Sequence, residues 1–350
     1  MTRGNDGPGT RPDGIIALMV WVAAAVLLVV VVMAVRVRRA LGSRRALVQL
    51  RDLMVAGHHQ QVLDRELPAE PFAEEGRSLK VTSAVLTGRY QLALDLLDQS
   101  ADDGRSVAGT STAARLRAVS LLGLGRYAEV ARMLGDEPPP GPMRRLRAQT
   151  AMEVGDDDLA TTLLADAYAD PLEEAGRLRL LGDLAIRRGR LEEGDRLVRT
   201  ARASYAGSGA AGAQVDVALC SLHLAQARLA AGLPAEAVHH ARAGIEGLAV
   251  RPDHAPGFAE GYAIAARVAA ALGNGDEAGQ HLAEAQQHAS RCQSPPLDAE
   301  LRRTAALVAV DLGDHEVARR LIWEAIGAHD RLGARPVVAE LHAKLTELKG

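Results

Sequence analysis

Aromatic and cysteine residues are scarce in this chain, and each shortage excludes a class of protein. Only 3% of the 350 residues are aromatic, and a single large globular core normally needs more ring volume than that. Two cysteines are too few for a disulfide-built scaffold or an all-cysteine zinc site. The formal net charge of −3 gives no electrostatic reason to expect nucleic-acid binding. The abundant apolar residues are alanine, leucine and valine, which favours packed helices.

Near the N-terminus lies a long apolar stretch. Residues 15–35 contain no charged residue and no proline. As a helix they would be about 31 Å long, close to the ~30 Å hydrocarbon thickness of a bilayer. We therefore predict a transmembrane helix at residues 15–35. Residues 1–14, which are polar and contain glycine and proline, are predicted to be a disordered tail.

The distribution of arginine around this stretch predicts its orientation. Two arginines precede it, and five follow at once: Arg36, Arg38, Arg39, Arg44 and Arg45. The positive-inside rule then places the N-terminus outside and the C-terminal part in the cytoplasm of a single-pass cell-membrane protein. The five arginines, in a basic juxtamembrane segment at residues 36–45, are expected to contact lipid headgroups. Two alternatives are a cleaved signal peptide, whose apolar region is usually about 7–15 residues, and a reversed anchor.

One pattern recurs through the rest of the chain. A glycine is followed by a small residue five positions on, an apolar one nine on and a small one twelve on, as in Gly88, Ala93, Leu97 and Ser100. Seven residues before each glycine stands a mostly small residue, such as Ala118 before Gly125. The other glycines of the pattern are Gly57 (a degenerate copy), Gly155, Gly189, Gly232, Gly273 and Gly313. Each unit is predicted to be a helix, a turn at the glycine and a second helix, with small residues where the two cross.

This pattern resembles the tetratricopeptide repeat (TPR), a helix-turn-helix unit of about 34 residues. The runs GRYQLA and GRYAEV match the family's Gly-x-Tyr turn, and the spacing between glycines is 30 to 43 residues. The last units, near 40 residues, are similar to the longer variant found in bacterial regulator and scaffold solenoids. The resemblance implies an all-α, TPR-like solenoid of about eight repeats over residues 46–350. Residues 336–349 read as an amphipathic capping helix.

No motif in the sequence predicts chemistry. Gly207, Gly209 and Gly212 match G-x-G-x-x-G, but a dinucleotide site needs a preceding strand, and here a helix is predicted before them. His281 and His288 share a helix face and could form at most a two-histidine surface site. We expect no catalytic residue, no metal site and no cofactor.

A set of arginines is the candidate binding feature. Arg115, Arg145, Arg179 and Arg303 each stand ten residues before a turn glycine, and Arg267 stands six before one. The TPR resemblance implies that these first-helix positions face the concave groove. Stacked arginines could bind carboxylates or phosphates of a partner peptide through bidentate hydrogen bonds. The alternative is that they pair with acidic residues of neighbouring repeats.

Together these features predict a non-enzymatic, membrane-anchored scaffold that binds a protein or peptide partner on its concave surface. The stacked arginines would favour an acidic partner. Two other functions stay open: a regulator that senses a ligand or peptide, and an extracytoplasmic chaperone if the topology is reversed. An enzyme is the least favoured class, and the sequence leaves the oligomeric state undetermined.

Overall fold

The computed structural model describes residues 12–70, 72–102, 111–136, 141–210 and 212–348, with the backbone alone for residues 12–26, 39 and 100–102. This described part is all-α, with seventeen helices and no strand. In chain order the helices are α1 (Pro12–Val55), α2 (His59–Asp64), α3 (Ala73–Leu86), α4 (Tyr90–Asp102), α5 (Ser111–Gly123), α6 (Tyr127–Leu134), α7 (Pro142–Val154), α8 (Asp157–Leu163), α9 (Pro171–Arg187), α10 (Leu191–Gly207), α11 (Ala213–Ala230), α12 (Pro234–Leu248), α13 (Ala255–Ala271), α14 (Gly275–Ala289), α15 (Pro295–Asp311), α16 (His315–Leu332) and α17 (Arg335–Glu347).

Each glycine of the sequence pattern forms the turn between two consecutive helices. All eight have a left-handed backbone, with φ between 70° and 86°, which glycine adopts without steric cost. The hydrogen bonds are those of a Schellman motif: at the α5–α6 turn, Gly125 N–H donates to Leu122 O and Arg126 N–H to Leu121 O, both at 2.9 Å. We number the resulting helix pairs in chain order, from pair 1 (α1 with α2) to pair 8 (α15 with α16).

The small residues of the pattern lie where the helices of a pair cross. Ala118, Ala148 and Ala266 on first helices are fully buried, as are Ala160 and Ala278 on second helices. Because the helices approach so closely, the apolar interior consists of a series of small clusters rather than one large core. This arrangement explains how the chain folds with so few aromatic side chains.

The solenoid has two layers and ends in a capping helix. Odd-numbered helices from α1 to α13 contact the next odd-numbered helix as well as their pair partners. These helices therefore form the inner layer of the curved array, and we call their exposed side the inner face. At the C-terminal end, α17 buries Leu341 and Leu345 against Ile322 and Ala325 of α16, which covers the last apolar surface.

Helix α1 runs without a break across the boundaries predicted at residues 35 and 45. Its last turns join the solenoid, since Leu47 and Leu50 are buried and α1 contacts α2 and α3. The apolar side chains from Leu27 to Val35 that the structure describes are exposed. Residues 1–11 of the predicted tail lie outside the described residues.

The predicted membrane anchor is corrected by the structure. Among the residues that it describes, no helix is both long enough and apolar enough to cross a bilayer. This finding contradicts the predicted single-pass cell-membrane localisation with cytoplasmic repeats. The predicted headgroup residues Arg36, Arg38, Arg44 and Arg45 are exposed on α1, and the side chain of Arg39 is not described.

Candidate functional site

The structure places the five candidate arginines on odd-numbered helices, as the repeat register requires. Arg115 lies on α5 and Arg145 on α7, while Arg179, Arg267 and Arg303 lie on α9, α13 and α15. Four of the five have partners, and these partners belong to the next odd-numbered helix. Arg115 is exposed and makes no ion pair or hydrogen bond with the described residues.

Two of the arginines form ion pairs with carboxylates of the next inner helix. Arg145 Nη2 lies 2.9 Å from Glu173 Oε2 of α9. Arg267 Nε lies 3.0 Å from Asp311 Oδ2 of α15. These are the pairings with neighbouring repeats that the sequence left open as the alternative to ligand binding.

Arg303 bridges two carboxylates at the C-terminal end of the inner face. Its guanidinium lies 3.1 Å from Glu300 on its own helix and 2.8 Å from Glu340 on α17. Burial opposes ionisation of Glu300, but Arg303, His329 and Arg187 outweigh it and hold the pKa of Glu300 below its usual value. We call the five candidate arginines the arginine ladder. Three of them, Arg145, Arg267 and Arg303, cross-link helices, and an acidic partner would have to displace their carboxylates to bind them.

Arg179 meets a histidine instead of an acid. Its Nη1 lies 3.1 Å from His223 Nε2 of α11. Because a guanidinium can only donate, Nε2 accepts and the ring proton is on Nδ1, 3.9 Å from Asp183 Oδ1. Burial lowers the pKa of His223 to about 4, with a further contribution from Arg179. His223 is thus a neutral donor on the inner face near pH 7.

An acidic group without a partner lies in the same region. Glu260 on α13 makes no ion pair or hydrogen bond with the described residues. Burial raises its pKa to about 7, and the charges of Arg179 and Asp183 are close enough to influence it. Its carboxyl group is available to a ligand without the breaking of any internal pair.

Several other polar atoms of the inner face also keep unused hydrogen-bonding capacity. Arg179 Nε, His223 Nδ1 and Arg303 Nε are buried and make no hydrogen bond with a described residue. Buried polar atoms in folded proteins nearly always have partners. Such atoms also occur on outer helices, at His288 of α14 and His329 of α16. Because the three on α9, α11 and α15 share the inner layer with Glu260, we take the inner face as the candidate binding surface.

The coil closes on itself, so that the inner face is partly enclosed. The turn of pair 1 reaches the α12–α13 loop, where Gln60 N–H donates to Asp253 Oδ2 at 3.0 Å. The turn of pair 2 reaches the α14–α15 loop, where Gln293 N–H donates to Gly88 O at 2.9 Å. In pair 3, Gly123 O accepts a hydrogen bond of 2.8 Å from Ser294 Oγ. We call this line of contacts the seam.

A shallow cleft opens on the seam. Its volume is about 740 Å³, and its lining includes Tyr127 of α6, Gly155 of the α7–α8 turn and Pro336 of α17. The described residues contain no group of three or more side chains placed to hold a metal ion. Gly207, Gly209 and Gly212 lie at the α10–α11 connection, between two helices, which is not the strand-to-helix setting of a dinucleotide site.

Two solved structures align with most of this chain at low identity. A crystal structure of a Rap protein complexed with competence and sporulation factor aligns with a TM-score of 0.48 and 9% identity, over 88% of this chain and 98% of that one. A crystal structure of the APC/C hetero-tetramer Cut9–Hcn1 aligns with a TM-score of 0.47 and 13% identity, over 78% of this chain and 50% of that one. No family model and no curated protein matches. At TM-scores below one half, neither likeness says what this chain binds.

The sequence located the arginines but missed their partners and the seam. Glu173, Asp311 and Glu340 stand at different distances from their turn glycines, so no repeat register marks them. One signal for the seam was present: Pro256, Pro296 and Pro336 recur at intervals of 40 residues. Each is the second residue of an odd-numbered helix.

Proposed function

We propose that this chain is a non-enzymatic scaffold that binds a polypeptide segment along the inner face of its TPR-like solenoid. The observation that supports this function is a set of buried polar atoms without partners on three inner helices: Arg179 Nε on α9, His223 Nδ1 on α11 and Arg303 Nε on α15. An extended peptide carries a donor and an acceptor at every residue, and it can satisfy such atoms in series along the groove.

The charge of the inner face favours a neutral or basic segment over an acidic one. Arg145, Arg267 and Arg303 are already paired with carboxylates, whereas Glu260 has no partner. A lysine or arginine of the segment could pair with Glu260, and burial of the pair would strengthen the contact.

Panning a random peptide display library against the full chain tests this function. Enriched peptides are expected to carry lysine or arginine. In Glu260→Lys their affinity should fall by about tenfold or more, the change produced by losing one buried charge pair. Glu246→Lys is the matched control, because Glu246 is exposed on the outer helix α12 and undergoes the same change of charge.

The proposal fails if no peptide is enriched. It also fails if Glu260→Lys and Glu246→Lys weaken binding equally, since that result would place the bound peptide off the inner face. Circular dichroism of both variants checks that the helices are retained.

A further inference from the structure

Three prolines of the C-terminal helices lie against turn glycines far away in the chain. A methyl group built on Gly88 would lie 2.9 Å from Pro256 Cγ, and one on Gly125 would lie 3.3 Å from Pro296 Cγ. At Gly155 it would overlap the ring of Pro336. Cys292 Sγ is as close to Gly88, at 2.8 Å, and Leu332 Cδ2 is closer to Gly125, at 2.5 Å. The proline rings and these two side chains therefore fill the space that a side chain would take at the turns of pairs 2, 3 and 4.

The prolines and the hydrogen bonds of the seam form one continuous line. Pro256 follows shortly after Asp253, which accepts from Gln60 N–H. Pro296 follows Gln293 and Ser294, which donate to Gly88 O and Gly123 O. The loops before α13, α15 and α17 thus rest one after another on the turns of pairs 1 to 4.

The turns of the later pairs have no such cover. Nothing lies within 4 Å of a methyl group built on the turn glycines Gly189, Gly232, Gly273 or Gly313. All eight turns share the same left-handed backbone. The close approach is therefore a property of the seam and not of the turn motif.

The seam is built differently from the contacts within the solenoid. Helix pairs bury apolar clusters against each other, whereas the seam consists of a few loop hydrogen bonds and of single side chains, three prolines with Cys292 and Leu332, that lie against turn glycines. Regions with few buried apolar contacts open at lower free energy than a packed core. Because each pair contacts mainly its neighbours, small rotations spread over several pairs can separate the two edges of the seam.

We propose that the seam is a latch, whose opening exposes the inner face while the helix pairs stay folded. This inference rests on the proposed function, since the inner face is the surface to which the latch controls access. In the closed coil, the turns of pairs 1 to 4 and the loops of pairs 6 to 8 bound the groove along one side.

A labelling experiment on the full chain tests the latch without any partner. A single reporter cysteine is placed by Glu260→Cys, with Cys220→Ala and Cys292→Ser, because Cys292 Sγ lies against Gly88 in the seam and serine is close to it in size. The reporter is treated with a maleimide that carries a bulky polyethylene-glycol chain. Pro296→Glu with Pro336→Glu disrupts the seam. The matched control is Pro171→Glu with Pro234→Glu, since these prolines open α9 and α12 and glutamate is tolerated in a first helical turn.

The seam variant is expected to react about tenfold faster than the control, with unchanged helical circular dichroism, because the loss of two packed contacts shifts an opening equilibrium by at least that factor. Equal rates in the two variants would overturn the latch. Should the double variant lose helical signal, Ser294→Asp removes the hydroxyl that donates to Gly123 O but keeps a side-chain acceptor to cap α15, and it is expected to accelerate labelling about fivefold. If peptides bind but the labelling rate is unchanged, the proposed function stands and the latch is rejected. If labelling is faster but no peptide binds, the latch stands and the proposed function is rejected.

Discussion

The turns of pairs 1 to 4 and those of pairs 5 to 8 have the same local structure and different surroundings. At every one of them a glycine with φ between 70° and 86° ends the first helix. The first four glycines pack against loops from the other end of the chain, and the last four face open space. A repeat motif therefore fixes the backbone of each unit, while the superhelical path decides which units touch.

The largest difference between the two sets is expected for alanine substitution at a packed and an open turn. Gly189→Ala should destabilise the protein by about 1 kcal/mol, the cost of a left-handed alanine. Gly155→Ala adds an overlap with Pro336 and should destabilise it by about 3 kcal/mol. Urea unfolding of the two variants measures both values. Equal destabilisation would mean that Pro336 does not contact this turn.

The two ends of the arginine ladder, Arg115 and Arg303, give a second comparison. Arg303→Ala leaves Glu300 and Glu340 without their shared cation, and we expect a loss of about 2 kcal/mol, since solvent screens part of the effect. Arg115→Ala removes an exposed side chain without partners among the described residues and should change stability by less than about 0.5 kcal/mol. Chemical denaturation checks both. A loss at Arg115 that matched the loss at Arg303 would show that the ladder is structural at both ends.

The carboxyl group of Glu260, on the inner face, predicts that the stability of the protein depends on pH. Burial raises its pKa to about 7 in the folded chain, from the usual 4.5 of a glutamate. The unfolded chain therefore ionises first, and this group reduces stability as the pH rises from about 4.5 to about 7. Glu260→Gln does not titrate, so it should become more stable than the unaltered chain over that window, by about 1–2 kcal/mol above pH 7.

Thermal unfolding at pH 4.5 and pH 7.5 measures this gap. Glu246→Gln on the exposed side of α12 is the control, for which we expect the same difference at both values. A gap for Glu260→Gln that did not grow with pH would show that its carboxyl group is well solvated.

The smallest expected effect on stability is the difference between substituting a serine of the seam and substituting a serine that bonds only within its own helix end. Ser294 Oγ donates to Gly123 O, 171 residues away, whereas Ser290 Oγ donates to Gln287 O within its own helix end. Ser294→Asp should cost about 1 kcal/mol, a typical value for one hydrogen bond, because aspartate still caps α15 as Ser294 does but cannot donate to Gly123 O. Ser290→Ala should cost close to nothing. Differential scanning calorimetry distinguishes them, and the reverse order would count against the seam.

Local rules explain what could be predicted from the sequence. Gly125, Ala118 and Ala160 each contact residues of their own helix pair. Within a pair, spacing along the chain determines which residues are in contact, and so the turns and helix crossings could be predicted from the pattern. The contact of Pro336 with Gly155 depends on small rotations added over several pairs, which no single unit encodes. The same holds for Glu173, which reaches Arg145 only because α7 and α9 lie side by side.

The prediction of a membrane anchor was wrong for a different reason. It rested on the composition of residues 15–35 alone, and no helix among the described residues meets the length and apolarity that a bilayer requires. The prediction of an acidic partner was weakened in the same way, because Arg145 and Arg303 were counted without the carboxylates that neutralise them.

The exchange rate of one backbone amide tests the closed coil most directly. Gln293 N–H lies in a loop, and its hydrogen bond to Gly88 O joins residues more than 200 positions apart. We expect hydrogen–deuterium exchange at Gln293 to be slowed in the unaltered chain and to become fast in Pro296→Glu with Pro336→Glu, while the amides of α11 stay protected in both. Exchange of Gln293 at the rate of a free loop amide in the unaltered chain would contradict the seam, and with it the latch.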